Sequence, residues 1–129
     1  MVTLLDHISL PVQDLESSSR FYDAVLSVLG IENQRSSPTF AAYGAPGDLA
    51  PSFWLLRATN NSATAGMGLH VSFRARTQEA VNKFYDTALA MGAKSAGAPG
   101  LRPQYTANFY GAFVIDPNGF KIEATHRHP

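Results

Sequence analysis

Residues 6–26 read DHISLPVQDLESSSRFYDAVL and residues 69–89 read LHVSFRARTQEAVNKFYDTAL. His7 matches His70, Ser9 matches Ser72, and Phe21-Tyr22-Asp23 matches Phe84-Tyr85-Asp86, all at an offset of 63 residues in a chain of 129. A repeat of half the chain length constrains the fold strongly. The chain must build the same supersecondary unit twice and bury the apolar faces of the two copies.

The periodicity inside each copy names the unit. Residues 3–12 alternate, with Leu4, Asp6, Ile8 and Leu10 on one side and Leu5, His7 and Ser9 on the other, which is strand period. Residues 15–29 change to helix period, with Leu15, Ser18, Tyr22, Val25 and Leu29 in one stripe and Phe21 beside it. Asp14 is the expected N-cap and Gly30 the residue beyond the helix. Strands are expected at 31–35, 38–44 and 52–59, with a Pro/Gly turn at Ala45-Pro46-Gly47-Asp48. The polar, small-residue stretch from Asn60 to Gly66 is the natural seam.

The second half repeats this order. A strand is expected at 67–75 and a helix at 78–91, between Thr77 and Gly92. A strand at 93–97 is followed by an irregular Gly/Pro stretch, Ala98 to Pro103. Strands at 107–115 and 120–126 are joined by Asp116-Pro117-Asn118-Gly119, a hairpin signal. The fold expected is α+β: two βαβββ modules, 1–60 and 67–129, forming a cupped mixed sheet in one domain spanning 1–129.

The duplication also sets the candidate chemistry. Equivalent positions in paired modules face each other across a pseudo-twofold axis, so His7 and His70 can approach one cavity. On the last strand Phe120, Ile122 and Ala124 form the apolar face, which turns Glu123 the other way. A carboxylate there is costly to bury unless it is paired or bound to a cation. His7, His70 and Glu123 form a two-histidine, one-carboxylate set suited to Mn, Fe, Ni or Zn. Packing and exposed ion pairing are the plainer alternatives for the same residues. The repeated Phe-Tyr-Asp reads as helix-to-sheet packing, and His126 and His128 as a solvated tail.

Composition removes other classes. Ten Lys+Arg balance ten Asp+Glu, and no basic run suggests nucleic acid or an anionic membrane. There is no cysteine, so disulfides, thiolate ligands and a cysteine nucleophile are excluded. No apolar run reaches the roughly 20 residues of a membrane span, and the N-terminus carries no secretory signal pattern. A cytoplasmic location is the expectation.

Three segments, DHISLPVQDLESSSRFYDAVLSVLG, GLHVSF and FYGAFVIDPNGFKIEA, resemble the vicinal oxygen chelate superfamily, which includes glyoxalase I, bleomycin-resistance proteins, fosfomycin-resistance transferases and extradiol dioxygenases. The resemblance spans nearly the whole chain. It implies paired βαβββ modules and a divalent metal at positions that fall on His7, His70 and Glu123. It also implies a metal-dependent lyase, isomerase, transferase or dioxygenase acting on a small oxygen-chelating molecule. The alternative is a metal-free protein that sequesters a drug, of bleomycin-resistance type.

Glyoxalase I carries a further glutamate on the last strand of its first module. Here that strand is PSFWLLR, and the corresponding position is Trp54, give or take one residue. Lactoylglutathione lyase activity is therefore not expected. Trp54, Arg57, Arg102, Tyr105 and Tyr110, with Phe109, are the candidate substrate contacts: apolar walls, hydroxyl donors and anion clamps. Small members of this superfamily commonly pair modules between chains, so a homodimer with shared sites is expected.

Overall fold

The computed structural model describes residues 4–58 and 69–128; the expected seam from Asn60 to Gly66 lies outside them. The first module runs β1 (Ile8–Val12), α1 (Leu15–Ser27), β2 (Glu32–Ser37), β3 (Phe40–Gly44) and β4 (Phe53–Arg57). The second runs β5 (His70–Arg74), α2 (Gln78–Ala90), β6 (Lys94–Leu101), β7 (Phe109–Ile115) and β8 (Lys121–Arg127). Each is βαβββ and makes its own four-stranded sheet, in the orders β1-β4-β3-β2 and β5-β8-β7-β6. In both, the first strand pairs parallel with the last and the other pairings are antiparallel. The expected α+β class is what the molecule adopts.

Local chemistry explains both helices. Asp14 Oδ1 accepts from the Ser17 amide at 3.0 Å, and Thr77 Oγ1 from the Ala80 amide at 3.0 Å. Each side chain satisfies an amide that has no partner inside the helix. Beyond the helices, Gly30 and Gly92 take φ of +78° and +100°, where a side chain would be strained. On α1, Ser18, Phe21, Tyr22, Val25 and Leu26 are buried; on α2, Val81, Phe84 and Ala88. Those faces meet the inward residues of the sheets, among them Leu10, Val12 and Leu55 in one module and Val71, Ile122 and Ala124 in the other. Burying each large side chain of this set contributes about 1.5–3 kcal/mol.

Two elements differ from the periodicity. The first strand begins at Ile8 and not at residue 3. Its partner β4 begins at Phe53, opposite Ile8, so the earlier residues have no ladder to join, and Leu4 and Leu5 are exposed. The third strand of the second module continues through Pro99 and Gly100 to Leu101. It lies at the sheet edge with register shifts at Ser95/Gly97 and Gly97/Gly100, the setting in which a strand tolerates proline.

The modules share one core. Helix α1 packs on α2, and the Phe53 and Phe73 rings meet edge to face at 5.0 Å. The Asp116–Gly119 turn also locks onto α1. Asp116 Oδ1 accepts from the amides of Asn118 and Phe120 at 2.9 and 2.8 Å. Its other oxygen accepts from the buried Tyr22 hydroxyl, and Asn118 Nδ2 donates to Ser18 Oγ at 3.0 Å. The repeated tyrosine thus has a definite task in the first module, holding the last hairpin of the second.

Asp116→Ala would strand the Tyr22 hydroxyl and two amides, and should destabilise the chain by about 3 kcal/mol or more in urea unfolding, against about 1–2 for Tyr22→Phe. Burial raises the Asp116 carboxyl above its usual value despite the hydrogen bonds that oppose the shift. A raised carboxyl favours the folded state when protonated. Its contribution is therefore full below the unfolded value near 3.8 and is lost as pH rises through the folded value. Relative to Asp116→Asn, the wild type should lose stability as pH rises above the unfolded value near 3.8; parallel pH profiles for the two would contradict this.

Candidate metal centre

The helices cover one face of each sheet and leave the other open. On β5, Val71 and Phe73 face the core, while His70, Ser72 and Arg74 are exposed. The parallel register sets Ser72 opposite Glu123 and Arg74 opposite Thr125. Ile122 and Ala124 enter the core, so Glu123 and Thr125 stand on the open side with His70 and Ser72.

Glu123 is only 4% exposed. Its Oε1 lies 3.0 Å from His70 Nε2, and its Oε2 accepts from Thr125 Oγ1 at 2.7 Å. Ser72 Oγ lies 2.8 Å from Thr125 Oγ1 and continues the chain. Both carboxylate oxygens are engaged, which offsets much of the cost of burying them. His70 is more open, with 41% of its side chain exposed, and the Phe113 ring lies 6.5 Å away.

His7 occupies the same place in the first module with different company. Its Nδ1 lies 2.6 Å from Asp6 Oδ2, and its ring meets Trp54 edge to face at 6.4 Å. The registers make the equivalence explicit: Ser9 pairs with Trp54 as Ser72 pairs with Glu123. Trp54 is thus the counterpart of Glu123, and the first module has no carboxylate there. His7 lines a cavity of about 680 Å³, and Glu123 lines a neighbouring one of about 660 Å³; Ser72, Arg74 and Arg76 border both. Among the described residues, no three His, Asp or Glu side chains cluster as a cation site. The chain brings His70 and Glu123 together but does not bring His7 to them.

The pair itself suits a divalent ion. Donors about 2.1 Å from one ion at roughly right angles lie about 3 Å apart, and the His70–Glu123 separation is 3.0 Å. Imidazole nitrogen and carboxylate oxygen are also the donor types that Mn, Fe, Ni and Zn accept.

The other expected contacts are spread out. Trp54 is half-buried beside His7 and meets Phe40 at a tilt, with ring centroids 5.2 Å apart. The Arg102 guanidinium sits 5.6 Å from the Phe113 centroid and donates to the Ala98 carbonyl at 2.6 Å. Tyr105 is exposed and packs on Phe109 at 5.0 Å. Arg57 lines a different cavity, of about 900 Å³, with Asp14, Arg20 and Phe40. Tyr110 donates to Asn82 Oδ1 at 2.6 Å, so its hydroxyl faces α2 and not the open face. Sequence reasoning passed over Ser72, Thr125, Arg74, Lys121 and Arg127. Alternation along β8 was the available signal, since Lys121, Glu123, Thr125 and Arg127 recur at every second position.

Residues 4–124 match the family model of the Glyoxalase/Bleomycin resistance protein/Dioxygenase superfamily. A glyoxalase/bleomycin resistance protein from Albidiferax ferrireducens T118 is 33% identical, with a TM-score of 0.86 over 97% of this chain and 100% of that one. A glyoxalase/bleomycin resistance protein/dioxygenase family enzyme from Burkholderia phytofirmans PsJN is 22% identical, with a TM-score of 0.73 over 95% and 98% of the two chains. The fosfomycin resistance protein FosX from Listeria monocytogenes is 18% identical, with a TM-score of 0.68 over 99% and 96%. The last two show likeness of fold alone. No curated protein matches the chain in sequence.

The contact between His70 and Glu123 has a direct test in stability. His70→Ala removes a partner from a buried carboxylate and should cost about 1–3 kcal/mol, whereas Glu123→Gln keeps the shape and should cost less than about 1. Urea titrations of both variants measure this. A neutral His70→Ala would mean the pair does not form.

Proposed function

The chain belongs to the glyoxalase/bleomycin resistance protein/dioxygenase superfamily, and on that premise we propose that it is a divalent-metal-dependent enzyme acting on a small molecule that chelates through adjacent oxygens. The observation that carries this reading is the buried Glu123 carboxylate held 3.0 Å from His70 Nε2 on an open sheet face. A carboxylate buried on the open side of a sheet, with a half-exposed imidazole as partner, suits ligand duty better than it suits packing.

His7 completes the set from a second copy of the chain. Each chain then lends its first module to its partner's second module, which gives two equivalent sites about a twofold axis. The open face of the first module presents Phe40, Trp54 and Leu56, and that of the second presents the His70–Glu123 pair. A bound ion would supply Lewis acidity toward the chelating oxygens. The protein's own part is to hold that ion through His70 and Glu123, to keep Glu123 oriented through Thr125, and to wall the cavity with Trp54. Arg102 and Tyr105 are the substrate contacts nearest the open face, Arg102 over the Phe113 ring and Tyr105 edge to face with Phe109.

Elemental analysis and titration with Mn, Fe, Ni and Zn test the centre. His7→Ala, His70→Ala and Glu123→Ala should each weaken uptake by at least about a hundredfold, since even outer-shell losses cost 10- to 100-fold. Wild-type protein that binds none of these ions would leave a metal-free binding protein of the drug-sequestering kind.

Mixing His7→Ala with Glu123→Ala chains under subunit exchange tests the shared site. Both lesions fall in one of the two sites, so the heterodimer should recover half of the metal uptake. No recovery, with exchange verified, would place each site within one chain.

Isomerisation of the methylglyoxal–glutathione adduct should be negligible, because Trp54 stands where a fourth ligand, a second carboxylate, would be needed. A turnover number in the ordinary range of about 1–10³ per second would overturn this.

A further inference from the structure

The second half of the chain, 67–129, carries seven Lys and Arg against four Asp and Glu. Its basic side chains gather beside the site. The cavity of about 660 Å³ that contains Glu123 is also lined by Ser72, Arg74, Arg76, Thr125 and Arg127. That volume is in the range of small-molecule pockets, roughly 300–1,000 Å³. Three arginines thus border one cavity whose single carboxylate is buried and already bonded to His70 and Thr125.

None of the three arginines has an acidic partner among the described residues. The ion pairs among the described residues are His7–Asp6, Arg20–Glu16 and His70–Glu123. Arg127 is held without being neutralised. Its guanidinium lies 5.0 Å from the Phe109 centroid and donates to Thr106 Oγ1 at 2.9 Å. The Phe109 ring in turn lies across Gly111, where a Cβ would come within 2.7 Å of it. Arg74 also borders the adjoining cavity that His7 of the same chain lines.

A lone surface arginine is ordinarily a solvated charge. Three that border one ligand-sized cavity, with two hydroxyls and a single carboxylate already bonded to His70 and Thr125, make a local positive potential. We infer that this cavity is an oxyanion subsite, and that the molecule taken up at the His70–Glu123 centre carries a second anionic group, a carboxylate or a phosphate, seated among Arg74, Arg76 and Arg127. This rests on the metal reading above and narrows it. Neutral chelators would fill only the metal end, whereas doubly anionic ones would use both.

Lactate, malate and 3-phosphoglycerate share one α-hydroxy-carboxylate end and differ in the group beyond it: a methyl, a carboxylate or a phosphate. Calorimetry with Mn²⁺-loaded protein should find malate or 3-phosphoglycerate bound at least about tenfold more tightly than lactate, and which of the two wins identifies the anion. In the Arg74→Ala/Arg127→Ala double variant that advantage should vanish while Mn²⁺ and lactate affinities hold. In wild-type protein the advantage should also shrink at high salt, a measurement that needs no variant. Equal affinity for all three acids in Mn²⁺-loaded wild type overturns the subsite and leaves the metal centre standing. Absence of Mn²⁺ binding, with inorganic phosphate bound by the wild type and not by the double variant, overturns the metal centre and leaves the subsite. Absence of both overturns both.

Discussion

Everything distinctive about this molecule depends on the parallel pairing of first strand with last strand in each module. A parallel pair needs a crossover, and α1 and α2 supply it while covering one face of their sheets. The other face stays open, and its residues are dictated by register. With Ser72 opposite Glu123, the carboxylate stands beside His70 and Thr125. A slip by one residue would send Glu123 into the core and Ile122 onto the open face. The hydrophobic demand of Val71, Phe73, Ile122 and Ala124 therefore holds the chemistry in place.

The two modules use that frame differently. His7 with Trp54 and His70 with Glu123 are equivalent pairs, but one is aromatic and the other acid–base. Charge follows the same division. The first 58 residues carry six Asp and Glu against three Arg, and the second half reverses the balance. On the open faces, Phe40, Trp54 and Leu56 stand in the first module, and Arg74 and Lys121 stand near Glu123 in the second.

Coupling between the modules within one chain runs through the core side. The Asp116 turn accepts the Tyr22 hydroxyl, and Phe53 meets Phe73. These contacts fasten the helix-covered sides together, while His7 borders one cavity and Glu123 the next. The packing that stabilises the chain is therefore separate from the open-face arrangement of His70 and Glu123.

Local sequence by itself determined the two βαβββ units, their helix caps at Asp14 and Thr77, and the Asp116–Gly119 turn. Caps, turn residues and hydrophobic period act over a few residues and are readable there. The repeat also singled out His7 and His70, because matched register implies matched position, and alternation along the last strand singled out Glu123. Only the tertiary structure decided the rest. Strand partners determined that β1 starts at Ile8 and that β6 runs through Pro99 to Leu101. The fold of the hairpins turned Tyr110 toward Asn82 and put Arg57 in a separate cavity. It also joined His70 to Glu123, 53 residues apart, while leaving His7 with Asp6. These outcomes depend on pairing between distant strands, and alternation along a single strand specifies which face a side chain takes but not which neighbour it meets.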